Sequence, residues 1–147
     1  MIKGKFLTGT LMGFVVLLIS AQLFAQADKR QALMKNNSEN AKAINAAAKA
    51  KDYAAVEARA RDIMGNADKI LGFFPKGSDT GRTKAKAEIW QNFDEFSKNP
   101  ARLKTAASEL AAAAKAKDDA AITAKMKALS EVCANCHKAF RADKYSE

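Results

Sequence analysis

The stretch DDAAITAKMKALSEVCANCHKAF, Asp118 to Phe140, decides the fold. Its apolar residues Ile122, Met126, Leu129, Cys133, Cys136 and Phe140 step by four and three, the spacing of a single helix face. Asp118 and Asp119 stand where an N-cap is wanted. A helix with one apolar face must bury it against partners.

Those partners are read by moving back along the chain. Leu103, Ala107, Leu110 and Ala114 form a stripe, preceded by Ile89, Trp90, Phe93 and Phe96, with a break expected at Asn99-Pro100. Asn as N-cap with Pro at the first helical position is a restart signal. Upstream, Phe73 to Gly81 holds Pro75 and two glycines and reads as the one long loop. A second helix is expected over about 52–71, with Tyr53, Val56, Ala60, Ile63, Ala67 and Ile70 on one face. A first is expected over about 28–50, with Leu33, Ala41, Ile44 and Ala48 to one side and Met34 beside Leu33.

No window alternates apolar and polar residues, so strands are not expected. Four amphipathic helices joined by one long and two short connections predict an all-α, antiparallel up-down-up-down four-helix bundle. In that topology the start of helix one, the end of helix two, the start of helix three and the end of helix four share one end of the molecule.

The N-terminus stands apart from this bundle. Lys3 and Lys5 precede an apolar run from Leu11 to Ile19 that continues through Ala21 to Phe24, and Ala25-Gln26-Ala27 supplies a small-x-small site. This is the pattern of a cleaved signal peptide over 1–27, and the run is shorter than the roughly 20 residues of a spanning helix. The domain is then 28–147, with no membrane span and a periplasmic location. Its charge is about +7, because removing two lysines leaves 23 basic against 16 acidic residues. Lys and Arg are spread among acids along the sequence, so nucleic acid is not the expected partner. A solvated surface that favours acidic partners is.

Cys133-Ala134-Asn135-Cys136-His137 carries the chemistry. Two thiols three positions apart can each add to a porphyrin vinyl group, while the adjacent imidazole reaches the iron from the same side. A thiol oxidoreductase site would open a helix after a strand, and no βαβ pattern is present. A zinc site would want more than two Cys and one His. One covalent haem c per chain is therefore expected.

His137 is the only histidine, so bis-histidine ligation within one chain is excluded. Beyond the leader, Met34, Met64 and Met126 remain. Met126 lies eleven residues before His137 on the same helix, about 16 Å along the axis, and Met64 sits about two turns before the end of helix two. Met34, near the start of helix one, lies at the level His137 requires.

The sequence resembles the class II c-type cytochromes, the family of cytochrome c′ and its low-spin relatives. The resemblance spans the whole of 28–147 and rests on Arg30-Gln31-Ala32-Leu33-Met34-Lys35, the Phe74-Pro75 loop, Trp90, and Cys136-His137-Lys138-Ala139-Phe140-Arg141 near the C-terminus. It implies the low-spin branch, in which a methionine at the distal position, here Met34, is the sixth ligand beside His137. The protein is then an electron carrier and not an enzyme, exchanging electrons with acidic redox partners, with monomer and homodimer both open. The alternative is a five-coordinate cytochrome c′ that binds nitric oxide or carbon monoxide. The resemblance further implies that Arg30 lies near a haem propionate and Arg141 beside the proximal imidazole. Relatives with a larger apolar residue one heptad after the ligand position contrast with Ala41 here.

Overall fold

The computed structural model describes residues 8–79 and 82–145. Its helices are α1 (Thr8–Lys49), α2 (Tyr53–Ala67), α3 (Glu88–Gln91), α4 (Phe93–Lys115) and α5 (Asp119–Phe140), with a 3-10 turn at Leu71–Phe73. The four long helices are those of a four-helix bundle. Among the described residues the only β-type pairing is an isolated bridge between Ala85 and Arg141. No described helix is long and apolar enough to cross a membrane.

Residues 1–7 of the expected signal segment lie outside the described residues, and α1 runs without interruption from Thr8 past Asp28. No Gly or Pro stands between Gly13 and Lys49 to stop it.

Two turns at one end of the bundle are built alike. The sequence AAAKAKD occurs at 46–52 and again at 112–118. In both copies the second lysine adopts a left-handed backbone, with φ of 55° at Lys51 and 57° at Lys117. Asp52 N–H donates to Ala47 O and Lys51 N–H to Ala48 O, and the same pair runs from Asp118 to Ala113 and from Lys117 to Ala114. This is the Schellman termination of a helix. Each aspartate then caps the next helix, accepting from Ala55 N–H and Ala121 N–H respectively.

The expected break at Asn99-Pro100 is not there. α4 continues through Pro100 to Lys115, and the helical region divides at Asn92 instead. Pro100 has no N–H for the Phe96 carbonyl, and the Asn99 side-chain amide donates to it at 3.0 Å. The helix therefore survives its proline.

The core is the expected apolar face of each helix: Ile44, Val56, Ala60, Ala107 and Leu110 are all at most 1% exposed. α2 packs along α4, α4 along α5 and α1 along α2, while α1 and α5 scarcely touch. A bundle that leaves one neighbouring pair of helices apart has a gap along that seam.

Candidate haem site

The gap is a cavity of about 990 Å³, bordered by residues of α1, α4, α5 and the segment between α2 and α3. Arg30, Met34 and Ala41 line it from α1, and Cys133, Cys136 and His137 from α5. Spacings of three and four set the last three on one face of α5, as Met126 and Leu129 are.

Burial pushes the Cys133 thiol up, and burial together with Cys133 pushes Cys136 up to about 11. These are protonated thiols, the reverse of the low-pKa cysteine of a thiol oxidoreductase. The His137 side chain, in the last turn of α5, is exposed at the cavity mouth; partial desolvation first and the charge of Arg141 second lower its pKa. In its neutral form an imidazole keeps a lone pair for a metal. No group of three or more His, Cys, Asp or Glu side chains gathers among the described residues, which speaks against a zinc site.

The two arginines differ. Arg141 ends α5, its N–H donating to His137 O at 2.9 Å, and it borders the cavity beside the imidazole. Arg30, only 5% exposed, is engaged by the loop after α2. It donates to Ser78 Oγ and Ser78 O, both at 2.8 Å, to Phe73 O at 3.2 Å and to Thr83 Oγ1 at 3.3 Å. Its guanidinium lies 4.9 Å from the centre of the Phe74 ring. Burial lowers its pKa against the opposing pull of Asp79. Arg30 thus clamps the loop onto α1, a role beyond the one the family resemblance implies.

Met34 is half-buried and lines the cavity, whereas Met64 packs into the core away from it. Met126, expected in the core, borders the cavity as well, because the gap follows α5 for several turns. Reading the chain for ligands alone also passed over an aromatic wall. Phe74, Phe96 and Phe140 all line the cavity, with ring centres 4.8 Å apart for Phe74 and Phe96 and 5.3 Å for Phe96 and Phe140. The Trp90 indole N–H donates to Pro75 O at 2.9 Å and ties this wall to the loop. Phe96 and Phe140 were legible on apolar helix faces and Phe74 as part of the loop, but not as belonging to one site.

A large, mainly apolar slot with paired thiols and one neutral imidazole on a single wall fits a macrocycle bound through two thioethers and a nitrogen ligand. Cys133 and Cys136 would hold the porphyrin, and His137 its iron.

Comparison with known proteins agrees. The family model for Cytochrome C′ matches residues 25–141. A cytochrome c-556 from Agrobacterium tumefaciens is 36% identical over 122 residues, covering 81% of this chain and 98% of the relative. A cytochrome c′ from Rhodospirillum rubrum is 41% identical over 85 residues, covering 57% and 58%. The cytochrome c′ structure from Thermochromatium tepidum matches with a TM-score of 0.72 at 29% identity, covering 80% of this chain and 95% of that one. The one from Shewanella frigidimarina matches with a TM-score of 0.75 at 28% identity, covering 82% and 97%. Proteins of this kind carry covalently bound haem c, and the two cysteines required are present. From fold, motif and relatives together, the chain belongs to the cytochrome c′ family of c-type cytochromes.

Proposed function

We propose that this protein is an exported one-electron carrier in which His137 and Met34 would ligate a single haem c. The observation that carries this reading is that Met34 on α1 and His137 on α5 border the same gap between two helices that scarcely touch. Bound haem supplies the redox chemistry, its iron cycling between ferrous and ferric. The residues of the chain do the rest. Cys133 and Cys136 would fix the orientation of the macrocycle, and His137 would donate its imidazole lone pair. The Met34 thioether, a soft ligand, would favour the reduced state. Phe74, Phe96 and Phe140 exclude water and lower the local dielectric, which further tunes the potential. The export reading rests on Lys3, Lys5, the apolar run and Ala25-Gln26-Ala27, with residues 1–27 removed after translocation.

A second reading is a five-coordinate cytochrome that binds nitric oxide or carbon monoxide. It has two supports of its own. The relatives include proteins named cytochrome c′ as well as cytochrome c-556, and Ala41, one heptad after Met34, leaves the α1 wall of the cavity small. Absorption spectra of the purified protein in both oxidation states, with and without carbon monoxide, separate the two. Low-spin spectra unmoved by carbon monoxide support the carrier. A high-spin ferrous form that binds the gas at once overturns it in favour of the second reading.

A further inference from the structure

Charge that is spread along the sequence is gathered in space. The segments 82–86 and 137–145 lie more than fifty residues apart in the chain, yet the fold joins them. Ala85 and Arg141 form the isolated bridge, Lys86 N–H donates to Phe140 O at 3.1 Å and Ala142 N–H donates to Lys84 O at 2.8 Å. Side chains tighten the seam: Lys84 Nζ donates to Asp143 O at 2.7 Å and Lys86 Nζ to Lys138 O at 3.3 Å. Arg82 and Lys84 both lie over the Tyr145 ring, at 4.7 and 4.8 Å from its centre.

Together these fourteen residues carry Arg82, Lys84, Lys86, Lys138, Arg141 and Lys144 against the single acid Asp143. That is a surplus of five positive charges, more than half of the chain's surplus of nine. The opposite end of the bundle is nearly balanced. There Lys49, Lys51, Lys115 and Lys117 meet Asp52, Asp118 and Asp119, and Lys51 is paired with Asp119 at 2.7 Å. The basic segments are also those nearest the chemistry, since Lys86, Lys138 and Arg141 share a surface recess with His137.

We propose that this platform is the docking surface for an acidic patch on the redox partner, which it holds at the His137 edge of the site. Carboxylates are the matching chemistry, because the cations are arrayed over two crossing segments and not gathered into one enclosed anion pocket. A surface of this kind raises the encounter rate and orients the partner without requiring a large buried interface. The proposal rests on the electron-carrier reading.

Two measurements on the full haem-loaded protein test it and keep the two readings distinguishable. Poly-L-glutamate titrated into the isotopically labelled ferrous protein should shift the amide signals of 82–86 and 137–145 and leave those of 49–52 and 115–119 in place. This binding map does not depend on the sixth ligand. Shifts spread evenly over both ends would overturn the proposal, as would binding to phosphatidylglycerol vesicles with none to poly-L-glutamate, which marks a membrane-facing surface instead.

The second measurement is oxidation of the ferrous protein by hexacyanoferrate(III), in which one electron passes from haem iron to the reagent. At low salt the pair Lys86→Glu and Lys144→Glu should slow it about tenfold, and the difference should shrink in high salt. The control pair Lys115→Glu and Lys117→Glu, with the same change in net charge, should slow it less than twofold. Equal slowing by the two pairs would overturn the proposal. Should the Glu pair fail to load haem, the milder Lys86→Gln and Lys144→Gln pair gives the same comparison with a smaller expected effect.

Discussion

The Asn99 side-chain amide donates to the Phe96 carbonyl at 3.0 Å and to the Glu95 carbonyl at 3.2 Å. The first of these acceptors is the one that Pro100, having no N–H, leaves without a backbone donor in mid-helix. Asn99 is 9% exposed and Phe96 is 2% exposed, so water is a poor substitute. Both residues, with Pro100, border the cavity. The helix can therefore carry a proline beside the site because the preceding side chain completes its hydrogen bonding.

Asn99→Leu should leave the Phe96 carbonyl buried and unsatisfied, at a cost of about 1–3 kcal/mol. Pro100→Ala restores a backbone N–H at the same carbonyl, so the double variant should recover part of the loss. Urea unfolding of the four proteins in the double-mutant cycle measures the coupling. Additive effects would mean that the two residues do not share this acceptor.

Lys117 holds a left-handed backbone, with φ of 57°, which costs a side-chain-bearing residue about 1–2 kcal/mol. Glycine meets no such cost but is more flexible when unfolded. Lys117→Gly should therefore stabilise the protein by up to about 1 kcal/mol, read as a higher urea midpoint at unchanged slope. Lys51→Gly should gain less, because it also gives up the contact with Asp119. A lower midpoint for Lys117→Gly would show that the lysine side chain contributes more than the strain removes.

Asp119 links the two matching turns, accepting from Lys51 Nζ at 2.7 Å and Tyr53 Oη at 2.9 Å. Its carboxyl lies below the usual aspartate range because of the Lys51 hydrogen bond first and the Tyr53 hydrogen bond second. A depressed folded pKa gives stability that is present above the unfolded value and is lost as pH falls through the folded one. The melting temperature of Asp119→Asn should thus lie below that of the unaltered protein at neutral pH and converge with it in strong acid. The gap should narrow with salt, since the group is exposed. A gap independent of pH would assign the effect to packing.

The apolar faces were legible in the sequence because burial imposes the helical period directly: Ile63, Leu110 and Leu129 are buried where that spacing requires. The sequence put Cys133, Cys136 and His137 on one face near the end of the last helix, and there they border the cavity. Long-range polar contacts were not legible. Nothing in the sequence near Arg30 announces Ser78 or Thr83 as acceptors 48 and 53 residues away, nor Asn99 as the residue that carries α4 past Pro100. Likewise, six cations separated in the chain form one surface only after Ala85 and Arg141 pair. The repeated AAAKAKD was there to be read, but its meaning lies in two φ angles that a periodicity count does not sample.

On the proposed carrier reading, the sixth ligand would be one of two methionines that share the cavity. Met34 stands on α1 and Met126 on α5, eleven residues or about 16 Å before His137 on its own helix. A macrocycle attached through Cys133 and Cys136 would lie against α5 itself, so a methionine on that same helix is poorly placed to supply a second ligand from α1's side. Leucine nearly conserves the volume and apolarity of methionine, so either Met→Leu change should cost less than about 1.5 kcal/mol. Their spectra should differ sharply. Met34→Leu should turn the protein predominantly high-spin and let the ferrous form take up carbon monoxide, while Met126→Leu and Met64→Leu should leave both spectra as they were. The reduction potential should move with Met34→Leu alone, because only that change removes a ligand preferring the ferrous state. If the unaltered protein is already high-spin, Met34 is a cavity wall and the gas-binding reading stands in place of the carrier. If it is low-spin and Met126→Leu is the variant that loses its sixth ligand, the carrier stands and the geometry argued for α1 does not.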